Sequence, residues 1–363
     1  MKDSINHQRF LQAYERELEN FAQKIGERKV ATIFFGGGTP SLMPIFLVEG
    51  ILKKISQVFT LDENCEISLE ANPTSFEASK FKDLRGVGIN RLSLGIQALN
   101  DEDLKFLGRQ HSSKEAVETI EIAAKIFDNF SFDLIYARPK QALESWRREL
   151  ELAISFQTKH LSLYQLTIEK GTQFFSDFSK KKFVMPDAEL SAQFYELTDE
   201  ITAANGFKTY EISNYAKDGF ACAHNLTYWR GLDYVGIGAG AHSRIYFLGC
   251  ENRRAISLLC EPNSWLNKVE NEGIAIQKNE EILPQELLEE LILMGLRLEE
   301  GINEKYFYPH FSKKFSEIFD YKKLQKMQDD GLIILLENII KITPEKRILS
   351  DAIIRKIIDY ALL

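Results

Sequence analysis

The sequence predicts an α/β fold with a mainly parallel sheet, and two patterns support this prediction. Short apolar runs rich in β-branched and aromatic residues alternate with stretches of about ten to fifteen residues that have helical apolar spacing. Strands separated by helices in this way are typical of a parallel sheet or barrel, whose ligands bind at the carboxyl ends of the strands. The C-terminal part instead predicts helices, a hairpin and a last helix, so we expect a separate module there.

The first predicted elements follow directly from local patterns. Apolar residues from Phe10 to Ile25 recur at helical spacing and predict an amphipathic helix over residues 7–25. Val30–Phe35 predicts a strand, which three glycines end. The further predicted elements are a helix at 44–57, a strand at 67–69, a helix at 76–84, a strand at 91–94, a helix after the capping box of Ser112 and Glu115, a strand at 132–135, a helix at 144–156 and a strand at 161–163.

The pattern becomes looser after about residue 170. The predicted elements there are a loop at 171–187, a helix at 189–205, a strand at 209–212, a segment rich in glycine and aromatic residues at 214–245, helices from 281, a hairpin of Leu332–Leu336 with Ile339–Ile342, and a last helix from Pro344. Helices with a hairpin are typical of a winged helix. This module has more acidic than basic residues, however, so we expect it to pack against protein rather than to read DNA.

Composition excludes several classes of protein. The chain has 363 residues with 45 basic and 53 acidic side chains, and its net charge of −8 argues against nucleic acid as a partner. Its four cysteines, Cys65, Cys222, Cys250 and Cys260, have no zinc-site or iron–sulfur spacing and predict reduced thiols. A charged N-terminal region and the lack of a long apolar run predict a cytoplasmic protein without a signal or membrane span.

Polar residues follow several predicted strands at the edge where ligands bind. The first group is the run 36–40, Gly-Gly-Gly-Thr-Pro, whose glycines let a ligand approach the backbone closely. A tight structural turn is the other interpretation of that run. Glu70, Gln97, Arg109 and Asp133 come after later apolar runs, where carboxylates can bind hydroxyl or amino groups and an arginine can bind a carboxylate. Taken singly, each is equally explained as a solvated loop residue.

His224 opens the motif His-Asn-Leu-Thr-Tyr-Trp, which ends at Tyr228 and Trp229. Histidine is a common axial ligand of heme iron, and the two aromatic residues offer an apolar wall with polar groups. A structural, hydrogen-bonded histidine is the simpler interpretation of this residue alone. Cys222 lies two residues away and is a weaker candidate for iron. The run 236–241 fits a dinucleotide fingerprint, but the strand–turn–helix context that this fingerprint needs is absent.

Together, in this order and spacing, these motifs resemble the radical-SAM proteins of the oxygen-independent coproporphyrinogen III oxidase group, which includes the HemW heme chaperones. The resemblance covers nearly the whole chain and implies a partial (β/α)6 barrel with a C-terminal helical, winged-helix-like module. It implies a barrel core at 1–170, completion of the barrel and the heme region at 171–280, and the module at 281–363. It further implies that Gly37 and Glu70 bind one S-adenosylmethionine. The residues implied for a second S-adenosylmethionine are Gly38, Thr39, Gln97, Arg109 and Asp133.

The histidine motif resembles the one that separates the HemW chaperones from the oxidases. The resemblance implies that the chain binds heme, with His224 as iron ligand and Tyr228 and Trp229 in the heme region. It also implies delivery of heme to hemoproteins such as respiratory enzymes, with peripheral membrane contact through the recipient. We therefore expect a carrier rather than an enzyme. A radical-SAM oxidase of coproporphyrinogen and an inactive remnant are the alternatives.

The chain departs from this family in its cysteines. The family holds a [4Fe–4S] cluster with a Cys-x-x-x-Cys-x-x-Cys motif after the first barrel strand, and none of the four cysteines here has that spacing. We expect that strand and motif upstream of the first helix, which leaves an unpaired sheet edge in this polypeptide. Without the cluster, no electron reaches S-adenosylmethionine for radical chemistry. A start codon assigned too late is the favoured explanation, and a truncated gene is the other.

Overall fold

A computed structural model describes residues 5–362. Its first elements are α1 (His7–Ile25), β1 (Lys29–Phe35), α2 (Ile45–Val58), β2 (Thr60–Ala71), α3 (Ser75–Ala78), α4 (Phe81–Gly86), β3 (Arg91–Gln97), α5 (Asp101–Phe106), α6 (Ser113–Ile126), β4 (Phe130–Tyr136), α7 (Leu143–Ser155) and β5 (His160–Gln165). The next elements are α8 (Gln173–Ser179), α9 (Ala188–Ala204), β6 (Lys208–Glu211), β7 (Asn214–Ala216), α10 (Ala223–Trp229), β8 (His242–Ile245), β9 (Arg254–Leu258), α11 (Pro262–Glu272) and β10 (Ile276–Glu281). The last elements are α12 (Pro284–Gly295), β11 (Ile302–Asn303), α13 (Glu304–Phe311), α14 (Phe315–Ile318), α15 (Tyr321–Asp329), β12 (Ile333–Leu336), β13 (Ile339–Ile342) and α16 (Ser350–Ile358).

The largest sheet has the strand order β1-β2-β3-β4-β5-β7-β6. Strands β2, β3, β4 and β5 run parallel to one another, whereas β7 is antiparallel to both β5 and β6. Helices separate the parallel strands along the chain, as crossover connections between parallel strands require. The predicted α/β fold with a parallel sheet is therefore confirmed.

Alternation along β3 shows how the sheet presents a polar face. Leu92, Leu94 and Ile96 are fully buried on one side of the strand. Ser93 and Gln97 alternate with them and point to the opposite side, because successive side chains of a strand lie on opposite faces. The apolar face packs in the core, and the polar face is available for a ligand.

Most predicted elements of the first half agree with the structure to within two residues at each end. Helix α1 has the predicted bounds, and the capping box before α6 is present, with the Glu115 backbone N–H donating to Ser112 Oγ at 3.2 Å. The predicted loop at 171–187 is wrong in part, because α8 lies within it. This helix is capped by Thr172, whose hydroxyl oxygen accepts from the Phe175 backbone N–H.

A second sheet, made of β8, β9 and β10, was not predicted. Its strands are antiparallel, and β8 and β9 have only four and five residues, which is too short for a clear apolar pattern in the sequence. Helices α1 and α11 pack with this sheet in an apolar cluster that includes Phe21 and Trp265. Helix α10, which carries the histidine motif, was also not predicted.

The C-terminal module contains helices α12 to α16 and a sheet of order β11-β13-β12. The predicted hairpin is confirmed, with Ile333 opposite Ile342 and Leu336 opposite Ile339. Leu288, Phe315 and Ile357 lie in its apolar core. The module thus has the helices and the hairpin that the sequence predicts.

The chain divides into two compact units. One contains the described parts of Met1–Ile33, Met43–Glu66 and Ala223–Leu363, and the other contains Phe34–Leu42 and Ile67–Cys222. The three-part division expected from the sequence stays a prediction. Among residues 5–362, no helix is both long and apolar enough to cross a bilayer.

Candidate functional site

A cavity of about 170 Å³ lies at the carboxyl ends of the parallel strands. It occupies the place where ligands bind in folds of this type. Its walls come from the loop after β1 and from the ends of β2, β3 and β4. The lining residues are Gly38, Thr39, Pro40, Glu70, Ala71, Asn72, Ser93, Gly95, Gln97 and Asp133.

The glycine loop after β1 adopts backbone conformations that other residues rarely adopt. Gly37 has a φ of +76° and Gly38 a φ of +56°, both in the left-handed region that glycine enters without strain. A Cβ atom at either position would meet nothing within 4 Å, so conformation and not crowding explains these two glycines. The Gly37 backbone N–H donates to Glu70 Oε2 at 3.2 Å and ties the loop to the end of β2.

The two carboxyl groups of the cavity, those of Glu70 and Asp133, have raised pKa values. Burial raises the pKa of Glu70, and the hydrogen bond from Gly37 opposes this effect. Burial also raises the pKa of Asp133 to about 6, with a further contribution from the charge of Glu70. A hydrogen bond from Ser162 opposes the change. The two carboxyl groups share one site, and repulsion between like charges disfavours the ionisation of both. A cationic ligand would offset this repulsion and would be attracted by both carboxylates.

A buried carboxylate that the sequence analysis did not identify holds two walls of the cavity together. Glu77, only 3% exposed, accepts a hydrogen bond from Ser41 Oγ and another from the Asn72 backbone N–H at 2.8 Å. Its other oxygen accepts from Thr74 Oγ1 at 3.3 Å. Ser41 follows the glycine loop and Asn72 follows β2, so one side chain fixes both segments. The Asn72 side-chain amide also reaches Thr39 Oγ1 at 3.5 Å.

Gln97 ends β3 with a φ of +74°, which is unusual for a residue other than glycine. Its side chain lines the cavity and is 8% exposed. The neighbouring Gly95 leaves room for it, because a Cβ there would lie 3.4 Å from Gln97 Nε2. Strained residues of this kind cluster at ligand sites, which supports a binding role for this end of β3.

The structure brings most of the predicted ligand residues together. Gly38, Thr39, Glu70, Gln97 and Asp133 line one cavity. The residues Asn72, Ser93 and Gly95 line it too and were not predicted as ligand residues, since nothing in the local sequence separates them from ordinary strand and loop residues.

Gly37 does not line the cavity itself, although its backbone N–H donates to Glu70. Arg109 is the second predicted residue of this group that lies outside the cavity wall. Its side chain is exposed, yet its positive charge lowers the pKa of Asp133, so it lies within electrostatic range. The predicted division of these residues between two ligand molecules stays a prediction.

His224 lies in the first turn of α10 and is held on both ring nitrogens. Its Nδ1 is 2.9 Å from Thr32 Oγ1, and its Nε2 is 2.8 Å from the hydroxyl of Tyr228. The Glu66 carboxylate accepts hydrogen bonds from the backbone N–H groups of Ala223 and His224, each at 3.1 Å. Two strands and one helix therefore fix the orientation of this half-buried imidazole.

The aromatic residues of the motif lie on different faces of α10. Tyr228 is four residues after His224 and shares its face, with the two rings edge to face at 4.8 Å. Tyr228 also packs edge to face against Tyr234 at 4.6 Å. Trp229 is five residues after His224, which places it about 140° around the helix. There the Arg297 guanidinium lies over its ring at 5.1 Å.

The glycine run at 236–241 is held by structural contacts. The Gly238 backbone N–H donates to Glu17 Oε2 at 2.8 Å, and a Cβ at Gly236 would lie 2.2 Å from the His242 carbonyl oxygen. A strand, β8, follows the run instead of a helix. The helix that a dinucleotide fingerprint needs after its glycines therefore does not follow this run.

The cysteines offer no donor set for an iron–sulfur cluster. Cys65 and Cys222 are buried, Cys250 and Cys260 are exposed, and burial raises the pKa of Cys65 to about 11. Within residues 5–362, no three metal-binding side chains are grouped around a common point. The described residues therefore do not fit a [4Fe–4S] cluster, which needs thiolate ligands.

Two family models match the chain. The model of the radical SAM superfamily matches residues 5–153, and the model of the HemN C-terminal domain matches residues 282–349. The second range lies within the module described above.

Curated relatives match over most of their length. The chain is 33% identical to the mitochondrial radical S-adenosyl methionine domain-containing protein 1 of Danio rerio, over 98% of this chain and 81% of that protein. It is 32% identical to the heme chaperone HemW of Bacillus subtilis, over 95% of this chain and 89% of that protein. It is 39% identical to the heme chaperone HemW of Escherichia coli, over 68% of this chain and 65% of that protein.

A solved structure confirms the fold. The radical SAM coproporphyrinogen III oxidase HemN from Escherichia coli matches with a TM-score of 0.76 and 21% identity, over 98% of this chain and 84% of that chain. The α/β radical-SAM fold with a helical C-terminal module, expected from the sequence, is therefore confirmed.

Proposed function

This chain belongs to the HemW family of radical-SAM proteins, and from that premise we propose that it binds heme and transfers it to hemoproteins. The observation that carries the proposal is the similarity to proteins named heme chaperone over 89% of the Bacillus subtilis relative. The chain also contains the histidine motif on a helix where the imidazole is oriented by neighbouring groups.

His224 is the proposed iron ligand. Histidine ligates heme iron through a neutral ring nitrogen, and the second nitrogen is normally held by a hydrogen bond that fixes the ring. Thr32 would hold Nδ1 while Nε2 binds iron. Because Nε2 is hydrogen-bonded to Tyr228, ligation requires this hydroxyl to move away. The loss of this hydrogen bond would weaken heme binding, which would suit a carrier that must also release its cargo.

Tyr228 and Trp229 are proposed to have different parts in heme binding. Tyr228 shares the face of His224 and would contact the porphyrin ring after its hydroxyl leaves Nε2. Trp229 lies on another face, so its part would be to fix α10 through its contact with Arg297. The proposed recipients are respiratory hemoproteins, with peripheral membrane contact through them. The cytoplasmic location stays a prediction.

S-adenosylmethionine is the proposed ligand of the cavity at the strand ends. Its sulfonium and ammonium groups are cationic, and Glu70 and Asp133 supply two carboxyl groups that would bind them or the ribose hydroxyls. Asn72, Ser93 and Gln97 would bind its polar edges, and the open glycine loop would admit it close to the backbone. When bound, this molecule supplies an activated carbon–sulfur bond.

The heme proposal is tested by titrating ferric heme into the purified chain and following the Soret band. Wild type is expected to bind saturably, and His224→Ala is expected to weaken binding and to change the spectrum. His242→Ala is the matched control, because His242 is exposed and lies in the same unit. Transfer is tested by mixing the heme-loaded chain with an apo-hemoprotein and following the spectrum of the acceptor.

The outcomes separate the candidate functions. A folded wild-type chain that binds no heme would remove the proposal. Binding without transfer to any acceptor would leave a heme-binding protein that is not a chaperone. Saturable binding that His224→Ala leaves unchanged would retain the carrier but reassign its ligand.

A further inference from the structure

His310, which lies in the same unit as His224, has a geometry suited to a metal ligand. The chain contains six histidines, His7, His111, His160, His224, His242 and His310. His160 is fully buried, and His111 Nε2 is 3.1 Å from the Ile96 carbonyl oxygen. His310 lies in the same unit as His224, whereas His111 lies in the other unit. One of the ring nitrogens of His310 is held, while the other is not a buried atom.

His310 lies in the last turn of α13 and is half-buried. Its Nδ1 is 2.7 Å from the hydroxyl of Tyr246, and the two rings lie nearly parallel at 18° with centroids 5.7 Å apart. This is its only hydrogen bond within residues 5–362, and Nε2 is not a buried atom. When Nδ1–H donates to the Tyr246 oxygen, the lone pair of Nε2 is available for a metal.

The surroundings keep this imidazole neutral. Burial lowers the pKa of His310 to about 4, and the charge of Arg253 contributes to the change. Arg253 is itself 1% exposed and pairs with Asp233 at 3.1 Å, so its charge is fixed in place. A neutral imidazole at physiological pH is the form that ligates iron.

The neighbourhood of His310 also suits an iron porphyrin. Phe311 packs against the His310 ring at 6.2 Å and adds to the aromatic surface of Tyr246. Lys313 and Lys314 come three and four residues after His310 in the sequence. Their ammonium groups would complement the carboxylates of heme.

His310 is better prepared for ligation than His224 in one respect. Both nitrogens of His224 are hydrogen-bonded, so a bond must break before iron binds. His310 needs no such step. The two residues belong to one unit and are linked by contacts: Tyr228 packs on Tyr234, and the adjacent Asp233 pairs with Arg253.

We propose that His310 is a second heme-iron ligand of this chain, with Tyr246 as the residue that positions its ring. This inference rests on the proposed function, because it assigns a further ligand to the same cargo. It distinguishes a carrier with two iron-binding imidazoles from one with His224 alone.

The test is a ferric heme titration of the full chain with wild type, His310→Ala, Tyr246→Phe and the control His242→Ala. His310→Ala is expected to weaken binding at least about tenfold or to lower the number of hemes bound, with a shifted Soret band. Tyr246→Phe is expected to change binding in the same direction by about two- to thirteenfold, the worth of one neutral hydrogen bond. His242→Ala is expected to match wild type.

A second substitution guards against misfolding of the module. His310→Gln keeps an amide that can form a hydrogen bond with Tyr246 but lacks an imidazole. A further variant, His310→Gly, leaves space for added imidazole, which is expected to restore part of the wild-type spectrum. A wild-type affinity, stoichiometry and spectrum in folded His310→Gln would overturn the inference while the heme proposal stands. No heme binding by wild type would overturn both, so the two failures are distinguishable.

Discussion

Replacing Tyr228 by phenylalanine is expected to strengthen heme binding, although Tyr228 belongs to the proposed heme region. The Tyr228 hydroxyl lies 2.8 Å from His224 Nε2 in the structure. Iron and this hydroxyl compete for one nitrogen, so binding of heme must include the loss of their hydrogen bond. Tyr228→Phe removes the competitor and keeps the aromatic ring.

The size of the effect follows from the hydrogen bond. A neutral intramolecular hydrogen bond contributes about 0.5–1.5 kcal/mol net, and about 1.4 kcal/mol corresponds to a tenfold change in affinity. Tyr228→Phe should therefore lower the Kd for ferric heme about two- to thirteenfold. Thr32→Val should act in the opposite direction, because Thr32 holds Nδ1 and orients the ring for ligation.

The assay is a competitive titration in which wild type and each variant compete with an apo-hemoprotein for ferric heme. Tyr234→Phe is the matched control, since its ring packs against Tyr228 at 4.6 Å and its hydroxyl makes no hydrogen bond to His224. A Kd that Tyr228→Phe leaves unchanged or raises would refute the competition. The opposite pattern, with Thr32→Val tightening binding, would show that iron binds Nδ1.

Three further predictions concern buried carboxyl groups. Glu77→Ala should lower the free energy of unfolding by about 3 kcal/mol or more, because hydrogen bonds from Ser41 and Asn72 to a charged acceptor contribute about 1.5–3 kcal/mol each. The measurement is urea unfolding, with Glu77→Gln as the reference variant. A loss below about 1 kcal/mol would contradict the role of Glu77 in holding the two segments together. Affinity for S-adenosylmethionine should fall as the pH drops through about 6, the raised pKa of Asp133, since its carboxyl group is neutral below that pH; calorimetric titration should show this dependence in wild type and not in Asp133→Asn. Burial raises the pKa of Glu17 in the folded chain, so folding is favoured when the Glu17 carboxyl group is protonated. The contribution of Glu17 to the free energy of unfolding therefore decreases as the pH rises through the folded-state pKa. Urea unfolding of Glu17→Gln should lack that part of the wild-type pH dependence, and parallel pH profiles would contradict it.

Local patterns in the sequence were sufficient to predict the parallel part of the fold. The apolar spacing of α1 and the capping box before α6 each depend on residues close together in the sequence, and the structure contains both the helix and the capping box. The end of β2 at Glu70 and the polar position Asp133 were placed at the ligand edge by the same rule.

Structure that depends on distant residues was not predicted. Strands β8, β9 and β10 pair antiparallel across connections of variable length, and no alternation in any one of them reveals the partner. Helix α10 has only seven residues and is capped by Glu66, more than 150 residues earlier in the chain.

The same limit applies to the candidate sites. The glycines, Glu70, His224 and Tyr228 were identified from motifs, but the contacts that hold them in place were not. Glu77 fixes the cavity through bonds to Ser41 and Asn72, and Tyr228 occupies the ring nitrogen that iron needs. Each of these contacts is defined by three-dimensional proximity, which composition and spacing do not encode.

The most direct test of the proposed function is the ferric heme titration of wild type beside His224→Ala, each shown to be folded by circular dichroism. The proposal predicts a saturable Soret change in wild type that is weaker and spectrally different in His224→Ala. A folded wild-type chain whose spectrum is the sum of protein and free heme at every ratio would contradict it.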